Sequence, residues 1–156
     1  MSMLDDETLK EVGRFATEFS TLDELITNLA ASILECTEWE TAERLTANFT
    51  LGRKLDLIGE VSKLLATTYQ LTQPYDVLST QVSSVKQLVE DRNTVLHGLL
   101  TVKRGEHPIV QAKKNKVELT PNKLSELARR IDAAIDGIPP AYFDFMDAVY
   151  KVRRAK

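Results

Sequence analysis

Three side chains within six residues are of the types that phosphate chemistry needs: Arg92, Asn93 and His97. Arginine keeps its proton at any ordinary pH, and its planar fork fits phosphate oxygens. Histidine titrates near neutrality and serves as either general base or general acid. An asparagine one helical turn before a histidine can hold the imidazole in one tautomer or touch a phosphate itself. Around them the stretch VSSVKQLVEDRNTVLHGLL, residues 82–100, repeats apolar residues at helical steps. Val82, Val85, Val89, Leu96 and Leu99 form the seam, with Leu88 and Val95 beside it. At about 100° per residue, Arg92 falls near the middle of that arc, while Gln87, Asp91 and Thr94 fall on the expected solvent side. A cation turned inward must be paired or must line a cleft that receives an anion. Asp56 and Glu60 are the candidate acids. Lys86 and Glu90 extend the Asn93–His97 row. Arg92 and His97, about 140° apart around the axis, flank a groove rather than stack.

The run Arg92-Asn93-Thr94-Val95-Leu96-His97, followed by Gly98, resembles the motif of the HEPN superfamily. The order of helices over about residues 8 to 137 resembles it too, as a match of architecture; the motif is the diagnostic part. The resemblance implies a small all-α domain, a homodimer, and a metal-independent endoribonuclease of the kind found among toxins and phage-defence proteins. It therefore also implies RNA as substrate and an antitoxin or operon partner protein. One branch, toxins paired with a nucleotidyltransferase antitoxin, carries a tyrosine two places after the histidine. Leu99 stands there in this chain, so regulation through that tyrosine does not carry over.

Cutting RNA without a metal uses the adjacent 2′-hydroxyl as nucleophile and leaves a cyclic phosphate. It needs a base, an acid for the leaving oxygen, and positive charge on the phosphorane. In this reading His97 is the acid/base, Arg92 stabilises the phosphorane, and Asn93 orients. One chain supplies one such histidine; two motif helices across a dyad supply two. Weaker substrate-binding candidates are Glu90 and Lys86 on the helix, with Lys103, Arg104, Lys113, Lys114 and Lys116 just beyond it. Two other readings stay open: a non-catalytic HEPN-like module binding a nucleotide or a protein, and a plain helical dimerisation protein in which Arg92 is a structural cation. His107, before Pro108, reads as solvated.

The whole chain bounds these readings. Its 156 residues, 43% hydrophobic and 28% charged, suit one globular domain with a real core. Six Gly and five Pro are few for a turn-rich all-β chain. The single cysteine, Cys36, excludes an internal disulfide, suits a reducing compartment and reads as a core thiol. One Cys and two His without close spacing make no zinc site, and no glycine loop cradles a phosphate, so neither metal nor cofactor is expected. No apolar run is long enough to span a bilayer, and the first residues lack signal character, so a cytoplasmic protein without membrane contact is expected. The net charge is −3 but is divided: 3 basic and 11 acidic residues up to Gly52, then 17 basic and 12 acidic. That asymmetry points the second half towards a polyanion.

The elements that must position the motif follow from periodicity. Val12, Phe15, Phe19, Leu22, Ile26, Leu29 and Ile33 predict one helix over residues 5–35. A connection with Trp39 as its apolar anchor leads to a helix from Thr41 bearing Ala42, Leu45 and Phe49, with a break at Gly52. Leu57, Val61, Leu64, Leu65 and Thr68 make the next stripe. Residues 71–73 read as a turn, and Pro74 suits the first position of the motif helix. Short β-tolerant pieces at Leu99–Val102, Ile109–Lys113 and Val117–Leu119 predict a small hairpin or ordered loop. Thr120-Pro121 starts a helix that Gly137 stops, and Pro139-Pro140 separates it from a last helix over 141–153. The expectation is an all-α up-and-down bundle of four to five helices, one domain over 1–156 with its core in 5–137 and a small hairpin after the motif.

Overall fold

The computed structural model describes residues 4–35, 38–101 and 106–156. Cys36, Lys103 and Arg104 lie outside these residues, as do the side chains of Trp39, Ala42, Leu45 and Leu99. The chain order is α1 (Asp6–Ile33), α2 (Trp39–Thr46), α3 (Leu51–Tyr69), α4 (Thr72–His97), β1 (Leu99–Thr101), β2 (Ile109–Ala112), β3 (Asn115–Glu118) and α5 (Pro121–Arg154). It is a helical bundle with a small sheet inserted after the motif helix, as the periodicity implied.

Each long helix starts where its sequence permits. Asp5 caps α1 by accepting from the Thr8 amide at 2.7 Å, and Asp6 and Glu7 occupy the first turn, where the helix dipole favours negative charge. Ser20 lies inside α1 because its hydroxyl bonds back to the Ala16 carbonyl at 3.2 Å, so the apolar seam runs through unbroken. Thr50 caps α3 through the Arg53 amide. The break expected at Gly52 lies before Thr50, and Gly52 sits in the first turn of α3. Gln70, at φ 58°, ends that helix in the left-handed region, and the Leu71 amide reaches back to the Ala66 carbonyl. α4 begins two residues earlier than expected, at Thr72, so Pro74 is its third residue.

The largest departure is α5. Gly137 and Pro139-Pro140 were expected to divide it, yet one helix runs from Pro121 to Arg154 over 34 residues. Each proline removes one backbone bond and crowds the preceding turn, at a cost of about 3 kcal/mol for an ordinary interior site. Against that, Ile138, Tyr142, Phe145 and Val149 continue the stripe of Leu127, Ile131 and Ala134 in phase, and all are buried. Fully burying such side chains contributes about 1.5–3 kcal/mol each, and the proline φ already matches helix. The missing Gly137 side chain faces Gln81 of α4.

α5 packs along α1 and α4, and α3 fills the space between α1 and α4. Phe15, Leu22, Ile26, Leu55, Ile58, Leu78, Val85, Ile131 and Phe145 meet in one core at no measurable exposure. The sheet is antiparallel in the order β1-β2-β3, with Leu100 opposite Val110 and Val110 opposite Val117. Val110, Leu119 and Leu124 form a second, smaller core beneath it. The turn between β2 and β3 is Lys113-Lys114, one residue earlier than the loop expected at Lys114-Asn115.

Candidate functional site

The sheet changes which face of α4 is inside. In the first part of the helix Leu78, Val82, Val85 and Leu88 are buried as expected. Beyond Leu88 the buried positions are Asp91 and Thr94, 8% and 1% exposed, not the solvent-side residues that a single 100° stripe predicts. The physical reason is that β2 and β3 lie against this half of the helix and cover that side. Val89, Arg92, Val95 and Leu96 are correspondingly half-buried, so Arg92 flanks the core rather than pointing into its middle.

Asp91 is held by three donors. Its Oδ1 accepts from Gln87 Nε2 at 3.3 Å and from Asn115 Nδ2 at 3.1 Å, and its Oδ2 forms an ion pair with Arg130 of α5 at 3.1 Å. Asn115 Nδ2 also donates to Thr94 Oγ1 at 3.0 Å, and the Thr94 hydroxyl donates to the Glu90 carbonyl at 2.9 Å. One carboxylate thus ties helix, hairpin and α5 together. Sequence reasoning missed this set. The available signal was the three-residue spacing Val85, Leu88, Asp91, Thr94, which marks a face bent towards a second neighbour.

Arg92 is treated differently. No carboxylate meets it among the described residues: Asp56 is taken by Lys86 at 2.7 Å and Glu60 by Arg53 at 3.5 Å. Its guanidinium carbon lies 5.4 Å from the centre of the Phe19 ring, a cation–π approach. One terminal nitrogen donates to Asn93 Oδ1 at 3.0 Å, while Nε is shielded from solvent without a protein acceptor. Because the Asn93 carbonyl oxygen is used by Arg92, its amide N–H groups are free to donate outward. His97 is exposed at the last position of α4, one turn beyond Asn93, with no hydrogen bond or ion pair among the described residues.

Gly98 follows for a steric reason. Its φ of −74° is open to any residue, but a Cβ there would run into the Thr94 carbonyl oxygen and Val110 Cγ1 and come within 3.0 Å of the Gln111 carbonyl oxygen. The chain turns from helix into β1 with β2 pressed against it, and only glycine leaves the space.

The other candidates divide into two groups. Glu90, Asn93 and Thr94 from α4 and Ala112, Lys113, Lys114 and Asn115 from the hairpin line one cleft of about 470 Å³. Lys116 lies on β3, exposed. Lys86 is elsewhere, in a separate cleft with Asp56, Gly59, Tyr75 and Ser79 between α3 and α4. His107 is exposed, beside the starts of α1 and α5, in a cleft with Glu7, Glu118 and Thr120. Among the described residues no group of three or more His, Cys, Asp or Glu could hold a metal ion. No helix among them is long and apolar enough to cross a membrane. No family model, curated protein or solved structure matches this chain.

Proposed function

We propose that this chain is an HEPN-like, metal-independent endoribonuclease that works as a homodimer. The observation that carries the reading is the state of Arg92: a half-buried guanidinium with no acid to neutralise it and a shielded Nε–H that meets no protein acceptor. Such a guanidinium favours an incoming anion at the part of its fork that stays open to solvent, since leaving the charge unmatched is costly. Asn93 fixes the near side of the guanidinium, and its outward amide can reach the same phosphate. His97, exposed and unengaged, takes the 2′-hydroxyl proton or protonates the leaving oxygen, the second role falling to the equivalent histidine across the dyad. The resemblance brings with it a role as toxin or defence component, in the cytoplasm, with an antitoxin as partner protein.

The test is cleavage of RNA by purified protein in EDTA, compared with His97→Ala. The variant should lose about 10²- to 10⁴-fold in rate with an unchanged Tm, and the products should carry cyclic phosphates. Equal cleavage by wild type and variant would sink the reading.

The size of the Asn93 cleft favours one further possibility, a non-catalytic module that holds a nucleotide. It is selected if a mononucleotide raises the Tm of the wild type but not of Asn93→Ala, with no cleavage by either.

A further inference from the structure

Four lysines among the described residues are paired. Lys54, Lys86, Lys123 and Lys151 each have a carboxylate within reach. At the hairpin tip Lys113, Lys114 and Lys116 have none among the described residues, although they lie within four positions of one another. The tip is also backbone-strained. Lys113 has φ 54°, a conformation that costs an ordinary L residue about 1 kcal/mol and that turns of this length normally give to Gly or Asn. And the tip is anchored: Asn115, the first residue of β3, is bonded to both Asp91 and Thr94 of the motif helix. Two free cations are therefore held over one wall of a cleft whose other wall presents the free amide of Asn93. Glu90, on that wall, is the one acid there and leaves the lining net positive.

We propose that this cleft is a backbone subsite for single-stranded RNA, in which Lys113 and Lys114 meet phosphates adjoining the one at Arg92 and His97, with Asn115 as the positioning residue that holds them there. The proposal rests on reading the motif as RNA-cutting. A single strand is favoured because in-line attack by a 2′-hydroxyl needs a backbone free of the A-form stack, and because proteins reach RNA bases and sugars most readily in unpaired segments. The small Thr94 and Ala112 side chains leave room for a ribose between the two walls.

The experiment is fluorescence anisotropy with a short labelled single-stranded RNA, in EDTA, on a His97→Ala background so that the probe stays intact. Binding is measured over a range of salt for that parent, for Lys113→Glu/Lys114→Glu, for Asn115→Ala, and for Lys10→Glu/Lys63→Glu as an equal charge change elsewhere. The double hairpin variant should bind roughly tenfold more weakly, and its slope of log affinity against log salt should fall by about 1.4, two single-strand phosphate contacts. The Lys10/Lys63 variant should keep the parent slope. Asn115→Ala should lower the slope too, although both lysines remain; simple loss of folded protein would reduce the active fraction and leave the slope unchanged. If the parent binds but hairpin and control variants weaken it equally, the subsite is overturned while the nuclease reading stands. If a mononucleotide displaces the RNA as well as unlabelled RNA does, the cleft is a nucleotide pocket and the strand track is overturned. If the parent binds no RNA at any salt, both readings fall together.

Discussion

Two adjacent residues of α4 face two differently treated flanks. On the flank under the hairpin, Asp91 receives Gln87, Asn115 and Arg130, and its side chain is only 12% exposed. On the flank towards α1, Arg92 rests on Phe19 with its Nε unanswered; next to it Asn93, on the wall of the hairpin cleft, keeps its amide free, and His97 stands in solvent. A buried charge that is fully hydrogen-bonded fixes the geometry of what touches it. A charge left without its counter-ion keeps its interaction for something that arrives later. The satisfied residue builds the frame; the unsatisfied ones hold the candidate chemistry.

Breaking the frame should cost the most. Asp91→Ala leaves Arg130 without its acceptor and the Asn115 amide with Thr94 alone in a partly buried place, and should destabilise by about 3 kcal/mol in chemical denaturation. Arg130 can still reach water, its side chain being 37% exposed, which holds the cost at the lower end for a broken buried pair. Arg92→Ala should cost only about 1 kcal/mol, the cation–π contact and some cover over Phe19, while removing any RNA response. Equal losses of stability for the two variants would erase the distinction between the flanks.

Gly98→Ala comes next. The added methyl must push apart the Thr94 carbonyl and β2, and overpacking of this kind costs about 2 kcal/mol. Because the hairpin is displaced while Arg92, Asn93 and His97 stay on their helix, RNA affinity should fall further than the stability loss explains. A variant with wild-type affinity and lowered Tm would mean that hairpin and motif act separately.

Much of this frame was legible in the sequence and some was not, for identifiable reasons. The 3-4 spacing from Phe15 to Ile33 fixed α1 within two residues at each end, because that seam stays in one core along its whole length. The cap Thr120 and the position of the motif on a helix end were readable from local chemistry alone. Pro139 and Pro140 misled because local propensity was overridden by a buried stripe that stays in phase across them. Asp91 misled because the helical wheel assumes one core, whereas α4 has the bundle on one side and a sheet on another. Asn115 was unreadable: its partners lie 24 and 21 residues away, and no periodicity links them. The motif residues were visible by type and spacing, but whether Arg92 was neutralised depended on the tertiary placement of Asp56, Glu60 and Phe19.

The smallest expected effect lies far from both flanks and serves as their control. Tyr142 of α5 is 1% exposed, and its hydroxyl donates to Ser32 Oγ of α1 at 2.9 Å. Burial raises its pKa above the ordinary 10.0, with the Ser32 bond opposing and Tyr150 and Glu35 adding to the rise. A group whose folded pKa is raised binds its proton more tightly in the native state. Its contribution is complete below the unfolded value and is lost as pH climbs through the folded one. At neutral pH Tyr142→Phe should cost about 1 kcal/mol or less, since exposed Ser32 can bond to water instead. Above pH 10 the wild type should lose stability faster than the variant, so the gap between them narrows or reverses, whereas Asp91→Ala and Arg92→Ala should keep the wild-type alkaline slope. Urea denaturation of all four proteins at pH 8 and above pH 10 checks it; a slope that follows either α4 variant instead would place the alkaline-sensitive group beside the motif and not between α1 and α5.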